Sequence, residues 1–237
     1  MSASERRASA RTVVVWDALE PVLGAEDTLD VLDIGGGTGG SAVRIAELGH
    51  RVSVVDPSPD ALAALGRRAQ EAGVEVVARQ GDLAHLLDVV VPDSVDLVLC
   101  HGVLEVVDDP SAALGAIRSA LRPGGTLSLL VAQRTAAVLA RAMAGHFGQA
   151  RELLDDTTSL GRSGRRFTQD EAAAVLAEAG FTTVAVHGVR VFADLVPGSL
   201  LDLEPGAAGA LVELEQAVAA RPDYLPLAAQ LHFTATS

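Results

Sequence analysis

The chain has 237 residues, 49% of them apolar and 3% aromatic, with a net charge of −13. That length and apolar content suit a folded domain and exclude disorder, and with so few aromatic rings the core must be assembled from Ala, Val and Leu. A single cysteine, Cys100, excludes a disulfide framework; no uncharged apolar stretch reaches the roughly 18 residues of a bilayer-spanning helix, and the charged opening Glu5-Arg6-Arg7 has no apolar signal region, so a cytoplasmic protein is expected.

Short apolar runs alternate with amphipathic stretches, the pattern of βαβ units around a parallel sheet. Residues 28–34 form a first strand that runs into the glycines at 35–37, and 41–48 continue as a helix stopped by Gly49. A second strand spans 51–56. A helix over 58–72 ends at Gly73, and strands follow at 74–78 and 95–100. A helix over 110–121 meets the turn Arg122-Pro123-Gly124-Gly125, after which the continuously apolar 126–131 is a fifth strand covered on both faces. Residues 136–146 are helical and 148–166 polar and irregular. Thr168-Gln169-Asp170-Glu171 is a capping box opening a helix that ends before Gly180. Late strands at 184–192 and 230–236, with a helix over 207–220 between them, imply an antiparallel pair at the sheet edge.

All 18 basic residues are arginine. Residues 131–166 hold Arg134, Arg141, Arg151, Arg162, Arg165 and Arg166 against Glu152, Asp155 and Asp156, a local balance of +3. An acidic body repels polyanions at long range, so any nucleic-acid contact is confined to this segment and the arginine-bearing N-terminus.

The densest signal is Asp33-Ile34-Gly35-Gly36-Gly37-Thr38-Gly39-Gly40, between a strand and a helix. Glycines permit a tight turn and let a ligand approach the backbone beside the free amides of a helix N-terminus. Positions 35, 37 and 40 also satisfy the dinucleotide pattern, with Asp56 about 20 residues on, so this loop alone leaves a nicotinamide cofactor open. Asp33 argues otherwise: it can receive a cationic amino group, whereas a pyrophosphate gains nothing from an anion there. Gln80-Gly81-Asp82-Leu83 follows the third strand, where an acid can accept from an adenine amino group, and Leu121-Arg122-Pro123-Gly124-Gly125 precedes the fifth.

In that order these motifs resemble the class I S-adenosylmethionine-dependent methyltransferases. The resemblance implies a Rossmann-like α/β fold with a mostly parallel seven-stranded sheet, an antiparallel edge and helices on both faces. It also implies S-adenosyl-L-methionine held by Asp33, Gly35, Gly36, Gly37, Asp56, Gly81, Asp82 and Leu83. Residues 101–110 and 121–130, Ala144-Gly145-His146-Phe147, Gly188-Val189-Arg190-Val191-Phe192 and Leu231-His232-Phe233-Thr234-Ala235 are further similar to the bacterial tRNA 5-carboxymethoxyuridine methyltransferase family. Members methylate the carboxyl group of a modified wobble uridine. By that likeness Arg11, shortly before Trp16, and His101 contact the donor. Two departures stand out: the family's lysine-rich run after Ala150 is here only Arg162, Arg165 and Arg166, and Val106 replaces its tryptophan. One methyltransferase domain over 1–237 is expected, with a donor-binding half and N-terminal helix over 1–133, a lid over 134–166, and C-terminal helices and late strands over 167–237.

Methyl transfer from a sulfonium is an in-line displacement, and a carboxylate acceptor with a reference pKa near 4 is already ionised, so no catalytic acid or base is expected. A cation to position the acceptor is expected instead, because arginine's planar fork suits a carboxylate or phosphate. Arg190, which interrupts an apolar run, is the first candidate, then Arg134, Arg165 and Arg166, with Tyr224 flanking the pocket. The six histidines show no ligand spacing, so no metal is expected. The expected partner is a methyl acceptor, tRNA through the local arginines, with no membrane. The alternative is a small-molecule O- or N-methyltransferase, which the acidic surface favours.

Overall fold

A computed structural model describes residues 3–24, 27–154, 164–203 and 206–237, with side chains excluded for 3–11 and 202–203. Arg11 lies in the first helix, but its side chain is outside the described residues, as are Arg162 and residues 155–163 of the expected lid. The elements in chain order are α1 (Ala3–Leu23), β1 (Asp30–Ile34), α2 (Gly40–Glu47), β2 (Arg51–Asp56), α3 (Pro59–Ala72), β3 (Val76–Gln80), α4 (Leu86–Val89), β4 (Val95–His101), α5 (Pro110–Ala120), β5 (Leu121–Ala132), α6 (Arg134–Met143), α7 (Phe147–Leu154), α8 (Gln169–Glu178), β6 (Thr182–Val189), α9 (Gly198–Leu203), α10 (Ala207–Val218) and β7 (Gln230–Thr236).

The sheet has seven strands in the order β3-β2-β1-β4-β5-β7-β6. β3, β2, β1, β4 and β5 run parallel, and the late strands supply the antiparallel edge. This is the Rossmann-like methyltransferase fold, as expected. The chain divides into two compact units, one of residues 21–130, 173–184 and 233–237, the other of 1–20, 131–172 and 185–232. In the first, the inward residues of β1 and β4 (Leu32, Ile34, Leu97, Leu99) are fully buried with Ile45, Leu65, Leu114 and Ile117 of the helices. Each such side chain contributes about 1.5–3 kcal/mol by leaving water. In the second, Val131, Phe167, Val189, Val191, Leu225 and Leu231 are buried.

Helix boundaries follow local chemistry. Ser58 accepts from the Ala61 amide at 3.3 Å to start α3, and Asp109 accepts from Ala112 at 3.0 Å to start α5. The capping box closes both ways, Glu171 N–H to Thr168 Oγ1 at 3.2 Å and Thr168 N–H to Glu171 Oε2 at 2.8 Å.

The third strand spans 76–80 rather than 74–78, α4 and α9 were not read in the sequence, and three further elements differ from the reading. Arg122–Gly125 is not a turn ahead of the fifth strand but a bulge within β5: Val95 pairs with Leu121 and Leu97 with Thr126, so the extra residues loop out. Gly124 at φ 77° permits it. The sixth strand ends at Val189 rather than 192, because Arg190 takes a left-handed φ of 61° and turns the chain away. And α7 occupies part of a segment whose sequence reads as irregular.

Candidate functional site

The carboxyl end of β1 delivers Asp33 and then the glycine loop. Gly35 donates to the Val55 carbonyl at 2.8 Å and Gly39 to that of Gly36 at 2.9 Å, with Gly35, Gly37 and Gly39 at φ 68°, 54° and 77°. Asp33 is buried beneath this bend: a Cβ on Gly36 would lie 2.6 Å from its Oδ2. Burial, and secondarily the charge of Asp56, push the Asp33 carboxyl up to about 7. Asp56, at the end of β2, accepts from Gly37 N–H through Oδ2 at 2.9 Å and from Ser58 N–H through Oδ1 at 2.8 Å. It therefore ties the glycine loop to the start of α3 and retains further lone pairs on both oxygens.

Beside the loop lies a cavity of about 400 Å³ lined by Gly35, Gly81, Asp82 and Leu83 together with Val103, Val106 and Asp108. Val103 and Asp108 went unread in the sequence, and Val106 was noted only as replacing the family's tryptophan; the signal for all three was their place in the motif following the fourth strand. A Cβ on Gly35 would fall 2.4 Å from Val103 Cγ2, so bare backbone forms that wall. Asp82 accepts through Oδ1 from the His85 N–H at 2.9 Å and faces His85 Nδ1 at 3.0 Å. These bonds hold its carboxyl below the ordinary carboxylate range, the His85 ring contributing most. Gly81 donates to the Asp56 carbonyl at 3.2 Å, which joins the acid-bearing ends of β2 and β3. His101, partly buried at the end of β4, bonds through Nε2 to Ser128 Oγ at 2.8 Å. Burial lowers its pKa to about 4, so the ring is neutral at physiological pH.

The expected donor fits these residues. A buried acid at the glycine bend can receive an ammonium group, a second acid stands one strand over for a ribose, and a cavity of mixed apolar and acidic lining adjoins them. A pyrophosphate at the same bend would meet the Asp33 carboxyl beneath it.

The other unit contains a second cavity of about 400 Å³, in which Arg141, Arg166 and Arg190 meet Gln133, Asp194 and Gln230. Arg190 follows the end of β6 and pairs with Asp194, Nε to Oδ2 at 2.9 Å with a second, shorter contact from Nη2. Its Nη1 donates to Gln230 Oε1 at 3.4 Å. The turn that aims it is held by Glu215, wholly buried on α10, which accepts from the amides of Val191, Phe192 and Ala193 at 2.9, 2.8 and 2.7 Å. Arg141, read in the sequence as part of the arginine-bearing segment but not as an acceptor candidate, donates to Gln149 at 2.9 Å.

Of the acceptor candidates, Arg190 and Arg166 thus share one cavity. Arg134 is buried at the start of α6 and bonds Glu171 at 2.6 Å, tying α6 to the capping box of α8. Arg165 is not among the lining residues, and Tyr224 packs edge-on against Phe192 with ring centroids 6.0 Å apart. Among the described residues no three His, Cys, Asp or Glu side chains group as metal ligands, and no helix is long and apolar enough to cross a membrane.

Residues 32–129 match the family model described as a methyltransferase domain. The chain is 32% identical over 234 residues to the tRNA 5-carboxymethoxyuridine methyltransferase of Escherichia coli (strain K12), covering 95% of this chain and 87% of that protein. It is 37% identical over 115 residues to a ubiquinone biosynthesis O-methyltransferase of Xanthomonas euvesicatoria pv. vesicatoria, covering 48% of each. Among solved structures, an S-adenosylmethionine dependent methyltransferase from Mesorhizobium loti superposes with a TM-score of 0.62 at 20% identity, over 94% of this chain and 98% of that one.

Proposed function

The chain belongs to the class I S-adenosylmethionine-dependent methyltransferases, and on that footing we propose that it methylates the carboxylate of 5-carboxymethoxyuridine at the wobble position of tRNA, in the cytoplasm. The observation that carries this reading is the similarity to the Escherichia coli enzyme along nearly the whole chain, where the likeness to the ubiquinone enzyme stops at about half. The arginine cavity supplies matching chemistry: three guanidinium groups suit an acceptor that bears a carboxylate.

The bound donor supplies a methyl group already activated on a sulfonium. Asp33 and Asp56 hold the donor's charged and hydroxylated parts, and the glycine backbone lets it sit close. The acceptor carboxylate is ionised at neutral pH, so no residue need remove a proton. The task left to the protein is alignment, which can supply about 7–11 kcal/mol of the barrier. Arg190 is the residue proposed to orient the acceptor, exchanging its bond to Asp194 for one to the incoming carboxylate.

The test is incubation with labelled donor and total tRNA, followed by nucleoside mass analysis. The methyl ester of 5-carboxymethoxyuridine is the expected product. Label appearing only in a metabolite pool would instead support a small-molecule O- or N-methyltransferase, the reading that the net charge of −13 favours. Arg190→Ala should raise the acceptor KM roughly 10- to 100-fold, the loss of a charged hydrogen bond of about 1.5–3 kcal/mol, while donor affinity stays unchanged. Equal loss of both would make Arg190 a structural residue.

A further inference from the structure

β3 begins the strand order, so only its β2 side is paired within the sheet. Four of its five residues are exposed, and Val77 keeps 46% of its surface open. It contains no proline, its pairing with β2 is regular from Val76 to Gln80, and the connection to β4 contains only a short 3-10 turn at Leu83–His85 and the single-turn α4. Such an edge is a template for another strand unless something blunts it.

The backbone directions at this edge follow from one bond. Gly81 N–H reaches the Asp56 carbonyl on β2 at 3.2 Å. Peptide groups alternate along a strand, so those of Val77 and Arg79 also face β2, while those of Val76, Ala78 and Gln80 point away from the sheet. Side chains alternate as well: Glu75, Val77 and Arg79 share one face and line the same open cavity of about 600 Å³, together with Val91, which is 67% exposed. Arg79 donates one N–H to the Val89 carbonyl from this face.

We infer that the β3 edge joins two copies of this chain, antiparallel, with the two-fold axis beside Val77. In that register Val76 of each copy exchanges a pair of hydrogen bonds with Ala78 of the other, using the peptide groups that point outward. Val77 meets Val77 as a non-hydrogen-bonded pair, where side chains approach most closely. Glu75 of each copy falls opposite Arg79 of the other, giving two ion pairs on the open face. The sequence is self-complementary about this one centre, as an isologous contact requires. Centring on Ala78 instead would set Glu75 against Gly81 and Arg79 against Val77. Centring on Arg79 would bring two guanidinium groups together.

The test is sedimentation of the full chain across a range of concentrations. A reversible dimer is expected. Ala78→Pro deletes an outward N–H while sparing the bonds to β2 and should weaken the dimer roughly tenfold or more. Glu75→Arg and Arg79→Glu should each weaken it, because each sets like charges opposite, and the double reversal Glu75→Arg/Arg79→Glu should restore it. Unchanged donor binding by each variant shows that its fold is intact. A chain that stays monomeric overturns the inference, including the case in which this edge serves a different protein. So does a dimer indifferent to Ala78→Pro, or a double reversal that restores nothing.

Discussion

Asp33 and Asp56 end neighbouring strands under one glycine loop, yet their surroundings separate them. Asp56 is held by two amides, whereas Asp33 has no such support among the described residues and is pushed up to about 7 by burial and by its neighbour. Below that value the Asp33 carboxyl is protonated in the free protein and must lose a proton to receive an ammonium group. Donor affinity should therefore rise as pH increases towards about 7 and level off above it. Calorimetry in buffers of different ionisation enthalpy should detect proton release on binding on the acid side. Asp33→Asn should bind more weakly and without this slope; a retained slope would assign it to another group. Both acids were legible in the sequence because the loop that needs them is contiguous. Glu215 was not, since its three amide partners lie 22 to 24 residues away and nothing in its own helix marks it. Arg134 read as a ligand from its place after the fifth strand, but its bond to Glu171 is a tertiary fact that local spacing cannot express.

The parallel strands were legible as apolar runs, because a strand covered on both faces has little alternation to disguise it. What escaped were backbone departures: the bulge at 122–125 and the early end of β6, both set by partners distant in sequence. α7 escaped because only Ala150 of its residues is buried, so its apolar side chains mark no core-facing stripe. The junction of the loop with α2 shows how far an element can depend on one atom. Gly39 has φ 77°, and a Cβ there would come within 2.1 Å of Leu65 Cδ1 on α3. Gly39→Ala should lower stability by about 1–3 kcal/mol through overpacking and backbone strain. Denaturant unfolding measures this; a change within error would mean that α2 and α3 separate freely.

At the scale of the molecule, a net charge of −13 sets long-range repulsion against any tRNA contact, and the attraction must come from arginines gathered locally. Arg141, Arg166 and Arg190, which line one cavity, would together give a slope of log K against log salt of roughly −2 to −3 for bulk tRNA. Binding measured over a salt series checks this. A steeper slope would require basic residues elsewhere, and an absent slope would count against tRNA. The mostly parallel seven-stranded sheet came from the family likeness and the order of its strands was not read at all, because hydrophobic pattern specifies which segments are strands but not which become neighbours.

One consequence follows from the turn after β6. A left-handed backbone suits glycine or asparagine, and for a residue with a long side chain it costs on the order of 1–3 kcal/mol. Here it carries an arginine, fixed by a carboxylate that has no solvent of its own. Conformational ease and chemical usefulness are thus opposed at a single position, and the buried anion on α10 is what lets the second prevail.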